Sequence, residues 1–299
     1  MEENYRGRIE EEQKKEDAET EPGLVPKLEY TIRPAVLQPF CLPLKSSKYL
    51  KEHSPSRKHG VSEQQEEVWR RNCVDLIIRT GLKLQIDHVA TITGLEFLHR
   101  YYAEYSMVTN DRFLVSMGCL YLGGKVADCP KSSRDIVLAG VSVLDKRKGA
   151  TEERAKDKEW MDAARNQITK AERALLYLTG FRFNSETVTE WLLRMLQDEP
   201  LYSFLKNTLD GDDKLANFSQ LCMHLSNQSA KIPLILQYKP PTIAATCVWM
   251  ALKLLRVPDA ILRVPKPWYM LYGAKNGDLD EISSQIIETV LNDASMNKE

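Results

Sequence analysis

The stretch Gly118–Pro130, GCLYLGGKVADCP, sets Lys125 behind two glycines in an otherwise apolar run. A phosphate-gripping loop needs G-x-x-x-x-G-K-[ST] between a strand and a helix. Six positions before Lys125 stands Cys119 rather than glycine, Val126 has no hydroxyl for a magnesium ion, and no strand pattern precedes the run. The loop reading fails on all three points. A buried helix fits instead: Phe113, Leu114, Met117, Leu120, Tyr121 and Leu122 cover nearly every face, as in a helix surrounded by others. Gly118, Gly123 and Gly124 each weaken a helix by about 0.5–1 kcal/mol relative to alanine, which close approach of a neighbouring helix can offset. Lys125 then falls in the last turn, where a cation meets the negative helix end. On its own it snorkels to solvent.

Outward from this run the text stays helical. A helix opens at Ser62, with Gln65 and Glu66 as a capping box, and continues through Val68, Trp69, Cys73, Leu76 and Ile77 to Gly81. Others are expected over about 87–105, 111–126 and 133–144, with DKRKGATEERAKDKE as a loop running toward the next helix. In that next helix Met161, Ala164, Ile168, Ala171, Leu175 and Leu178 step by 3, 4, 3, 4, 3, one continuous apolar stripe. Gly180 ends it as a left-handed cap. A second set follows: about 186–196, about 215–229, and a helix opened by Pro240-Pro241. Aligning Lys253 with Lys125 sets Val115 on Ile243, Leu120 on Val248, Tyr121 on Trp249, Gly123 on Ala251 and Val126 on Leu254. Two similarly built helical halves are expected. Alternating strand signals are scarce, so the fold class is all-α.

The chain has 299 residues, 43% hydrophobic, with 41 basic and 42 acidic side chains. Cores can form, and the balanced charge argues against a generic nucleic-acid binder. Residues 1–38 are charge-dense and poor in apolar groups, so disorder is expected there; the segment 37–62 reads as an irregular lead-in. Six cysteines without a C-x-x-C pair, and five histidines without ligand spacing, imply no metal site and a reducing compartment. The N-terminus lacks an apolar signal region, and no apolar run approaches the roughly 20 residues of a membrane span. A soluble protein without cofactor is expected. His99, beside Arg100, reads as a satisfied core histidine, and no nucleophile–base pairing emerges.

Taken in order, SPSRKHGVS (54–62), Arg70, FLHRYY (97–102), LYLGGKVADCP, AERALLYLTGFRF (171–183), YKPPTIAATCVWMALKL and KPWYMLYG resemble the transcriptional cyclins of the T, K and L branch, over roughly residues 39–295. The resemblance implies two tandem five-helix cyclin boxes, 39–184 and 185–299, after the N-terminal segment. It implies a nuclear regulatory subunit, not an enzyme, that binds and activates a cyclin-dependent kinase phosphorylating the RNA polymerase II C-terminal domain. Lys125 and Glu172 match the family's polar kinase contacts. Phe181 and Phe183 match apolar positions at the kinase face, and core packing accounts equally well for Phe181. Arg70 matches a largely structural arginine. Glu172 sits about 40° off the centre of its helix's apolar stripe, where a solvated glutamate is the plain alternative.

There are departures. After Lys125 the run is Val126-Ala127-Asp128, one acid short of the usual pair, and glycines replace the alanines before the lysine. VWRRNCVDLIIRT shows no counterpart of the cell-cycle cyclins' substrate-docking patch, and the long C-terminal tails of some relatives are not expected. Two other readings stay open: a tandem cyclin-fold transcription scaffold, against which the missing zinc ribbon and the charge of −1 count, and a divergent adaptor that no longer activates a kinase.

Overall fold

The structure, a computed structural model, describes residues 43–145, 147, 149–181, 183, 186–199, 201–209, 211–257 and 267–296. The segment 1–38, expected to be disordered, lies outside them, as does Cys41. Regular structure among the described residues is entirely helical.

Two short helices, α1 (Ser47–Glu52) and α2 (Pro55–Lys58), occupy the stretch expected to be irregular. Serine caps explain them. Ser46 Oγ accepts from the Tyr49 amide at 3.1 Å, while Ser54 caps α2 with proline at its first position. Helix α3 (Glu63–Lys83) starts where Ser62 Oγ accepts from the Gln65 amide at 3.2 Å. Glu66 does not serve that cap. It turns inward to accept from Ser54 Oγ (2.8 Å), Arg57 Nε (3.1 Å) and Arg70 Nη2 (3.0 Å).

Helices α4 (His88–Glu104), α5 (Arg112–Val126) and α6 (Ser133–Leu144) follow the predicted spans. The expected loop 145–159 instead contains α7 (Ala150–Lys156), whose first-turn Glu152 and Glu153 and last-turn Arg154 and Lys156 complement the helix dipole. Asp157 then caps α8 (Lys158–Thr179) by accepting from the Trp160 amide at 2.9 Å. The stripe Met161, Ala164, Ile168, Ala171 and Leu175 is buried, and Leu178 is half-buried. Gly180 closes α8 in the left-handed conformation, φ 58° and ψ 32°.

The second set comprises α9 (Val188–Met195), α10 (Leu201–Thr208), α11 (Asp212–Ser229), a 3-10 turn at Pro233–Leu236, α12 (Pro240–Leu254), another at Trp268–Tyr272, and α13 (Asn276–Met296). Buried apolar residues from Val188 to Ile286 form one core cluster, and those from Cys73 to Leu175 form two adjoining ones. Helix α5 packs against α3, α4, α6 and α8, and α12 against α9, α11 and α13. The aligned positions Val115 and Ile243, Leu120 and Val248, Gly123 and Ala251 are all buried. The correspondence breaks at Val126, half-buried, against Leu254, 61% exposed.

The glycines of α5 are packing devices. A Cβ on Gly123 would lie 2.5 Å from the Ala90 carbonyl oxygen and 2.8 Å from the Gly94 nitrogen. Both are backbone atoms of α4, so no side chain fits there. On Gly118 a Cβ would meet Ala171 of α8 at 2.8 Å. The halves are tied by His99 Nε2, which donates to the Ala230 carbonyl at 3.0 Å, and by the Lys45 amide, which donates to Leu236 at 2.8 Å.

Candidate functional site

Helix α5 ends at Ala127. The Cys129 amide donates to the Gly124 carbonyl at 2.8 Å, and Asp128 adopts φ 52°. A short polar side chain tolerates that left-handed turn better than most. The reversal leaves Lys125 at the rim of the helix end, facing α8.

There its Nζ donates to Glu172 Oε1 at 2.7 Å. The ammonium also lies 4.1 Å from the centroid of the Tyr121 ring, one turn earlier on α5. Desolvation alone lowers the Lys125 pKa, but the hydrogen bonds to Glu172 and Tyr121 outweigh it, so the pKa rises above its ordinary value. Lysine carries three N–H donors and a carboxylate about four acceptor positions, so one mutual bond leaves each able to reach a partner. The lysine side chain is 40% exposed and the glutamate 14%. Such a pair adds about 0–1 kcal/mol to stability.

Past the end of α8, Phe181 is 62% exposed, which sets aside the core-packing account of that residue. Its φ of 58° is left-handed, directly after the left-handed Gly180, and its amide closes the helix end on Leu176 at 3.0 Å. A bulky residue there stores strain of about 1–2 kcal/mol. The ring meets Tyr177, itself 78% exposed, edge to face at 6.3 Å. Phe183 turns inward, half-buried on the first-half core and edge-on to Phe97 at 5.9 Å. Lys125 and Glu172 thus meet directly, Phe181 is presented outward nine positions beyond Glu172, and Phe183 packs inward against Phe97.

Sequence reasoning missed three contributors. Tyr121 was legible as the i−4 neighbour of Lys125. Tyr177 lies opposite the apolar stripe of α8 and reads as an ordinary surface residue. Glu66 looked like a cap residue but joins Arg57, Arg70 and Ser54 in a buried network that makes Arg70 structural.

Stacked helices around one central helix in each half, α5 and α12, define a cyclin-type fold. Residues 44–184 match the family model for the cyclin N-terminal domain. By this match the chain is similar to the cyclins over its first half. It is 28% identical to Cyclin-T1-3 of Oryza sativa subsp. japonica over 247 residues, 81% of this chain and 47% of the relative. With Cyclin-L2 of Mus musculus the identity is 25% over 240 residues, covering 79% and 43%. The chain thus spans a little under half the length of these relatives. Among solved structures, a chain of the yeast RNA Pol II CTD kinase CTDK-1 complex superposes with a TM-score of 0.66 at 15% identity, covering 86% of this chain and 76% of that one. A chain of the yeast TFIIK (Kin28/Ccl1/Tfb3) complex gives 0.52 at 14%, covering 82% and 93%. At these identities the likeness is one of fold.

Proposed function

We propose that this chain is a cyclin, the nuclear regulatory subunit of a cyclin-dependent kinase acting on the RNA polymerase II C-terminal domain, with boxes at 39–184 and 185–299 and no catalytic group of its own. The observation that carries the reading is the Lys125–Glu172 pair at 2.7 Å, with the lysine 40% exposed at the rim of the helix end. Two polar groups of opposite sign, with Phe181 presented beyond them, suit a partner helix that offers backbone carbonyls, a cation and an apolar side chain. Docking such a helix biases a bistable kinase toward its active arrangement, in which the kinase's own lysine–glutamate pair and metal-binding residues come into place. Phe183 shapes this surface from beneath.

A second reading, an adaptor that binds without activating, draws on Val126-Ala127-Asp128, where an expected acid is missing and Asp128 is committed to the helix-ending turn. The test is recovery of partners from nuclear extract by the tagged chain, followed by a kinase assay on polymerase-tail peptide. Wild type is expected to recover an active kinase. The charge-swapped Lys125→Glu/Glu172→Arg chain should keep its helical circular dichroism but lose at least about thirtyfold in binding, the roughly 2 kcal/mol of a disrupted interfacial charge contact. No kinase with wild type would sink the proposal. A kinase without tail activity favours the adaptor, and duplex-DNA binding that persists at moderate salt favours the scaffold.

A further inference from the structure

The seam between the halves holds a small cavity of about 40 Å³, lined among others by Glu66, Arg70, His99, Tyr102 and Pro233. Three buried atoms of its lining residues have no hydrogen-bond partner among the described residues: Arg70 Nη1, His99 Nδ1 and Tyr102 Oη. His99 and Tyr102 are each 1% exposed. Buried polar atoms are satisfied in the great majority of folded proteins, so three orphans on residues that line one cavity point to an occupant.

The donor and acceptor types specify it. A carbonyl only accepts, so the Ala230 bond places the proton of His99 on Nε2. Burial, with Arg70 nearby, holds the His99 pKa near 3, so the ring is neutral and Nδ1 offers only a lone pair. Arg70 only donates, and its other nitrogen, Nη2, is already bonded to Glu66. The Glu66 oxygens are both engaged, one with Arg70 and the other with Ser54 and Arg57. The Tyr102 hydroxyl can do either. The occupant must therefore accept from Arg70 and donate to His99 at once. A halide has no proton to donate, and a metal cation cannot accept and meets the Arg70 charge. Water does both, and a water needs only about 10–15 Å³ of such space.

We infer that this cavity is an internal water site, holding one or two molecules that bridge Arg70, His99 and Tyr102 and complete a hydrogen-bonded joint between the two halves. The joint runs from the Ala230 carbonyl through His99 and the water to Arg70, Glu66, Arg57 and Ser54. It ties the second half to both α3 and the capped lead-in helix α2.

Crystals of the full chain, grown in chloride and separately in bromide, test the site directly. The expected result is density about 2.7–3.2 Å from both Arg70 Nη1 and His99 Nδ1, without anomalous signal in bromide. A bromide peak, a dry cavity, or a direct Arg70–His99 hydrogen bond overturns the inference. In solution, nitrogen-15 spectra of the histidine-labelled chain should show His99 as the neutral Nε2–H tautomer at pH 7, and the Nδ1–H tautomer or a charged ring overturns it. For the joint itself, hydrogen exchange at the Gln237 and Tyr238 amides should rise at least tenfold in His99→Leu and return toward wild type in His99→Gln, which keeps a donor and an acceptor. Equal protection in all three chains shows that the seam does not depend on it.

Discussion

Lys125 and Glu172 stand 47 positions apart in sequence and 2.7 Å apart in space. Lys125→Glu alone sets two carboxylates against each other. It should lower stability by about 0.5–1 kcal/mol, whereas the charge-swapped pair regains that stability without regaining kinase binding; urea titration beside a pull-down separates the two effects. Phe181 poses the opposite case, since its backbone prefers glycine while its side chain faces water. Phe181→Gly should raise unfolding stability by about 1 kcal/mol and weaken kinase recovery. A loss of stability on that change would mean that the ring serves the fold. At this scale the motif and the helical phase made Lys125 and Glu172 legible. The outward turn of Phe181 was not, because it depends on two successive left-handed residues.

Among elements, α5 is the most demanding, because its glycines allow backbone-to-backbone approach. Gly123→Ala forces a methyl against the Ala90 carbonyl and the Gly94 nitrogen. Neither can yield without moving α4, so a loss of about 3 kcal/mol or more is expected, read as a lowered denaturation midpoint. Gly277, in the first turn of α13, meets nothing within 4 Å. Gly277→Ala should therefore stabilise by about 0.5 kcal/mol. Helices α4, α5 and α6 were readable to within a residue or two, whereas the 21-residue α13 was not singled out. Nor were helices α7 and α10. Seven or eight residues hold too few apolar positions to show a period, and they are stable only because the neighbouring helices order them.

Across the whole molecule, His99 links the α4 surface to the second half and makes the seam sensitive to acid. Its pKa falls from the ordinary 6.5 to about 3 because burial disfavours the charged ring. As pH drops, the unfolded chain takes up this proton first. The stabilisation is therefore complete above about pH 6.5 and is lost at up to about 1.4 kcal/mol per pH unit as pH falls toward 3. Denaturation at pH 7, 6 and 5 should show a wild-type decline that His99→Gln, lacking a titrating ring, reduces. Parallel curves for the two chains would place the acid sensitivity elsewhere.

The residues alone determined the all-helical class, the helix phases, the caps at Ser62 and Gly180, the doubling of the α5 pattern in α12, and the cyclin resemblance. These follow from interactions within a few positions of the chain, where the 3.6-residue period and the capping chemistry operate. Tertiary structure decided that Lys125 rests on Tyr121 and Glu172, that Phe181 points outward and Phe183 inward, that Glu66 gathers two arginines, and that Arg70, His99 and Tyr102 line one cavity. Each of these is a distance between groups from different helices. Such distances are fixed only when the helices pack, with α5 held against α4 by the absence of a side chain at Gly123.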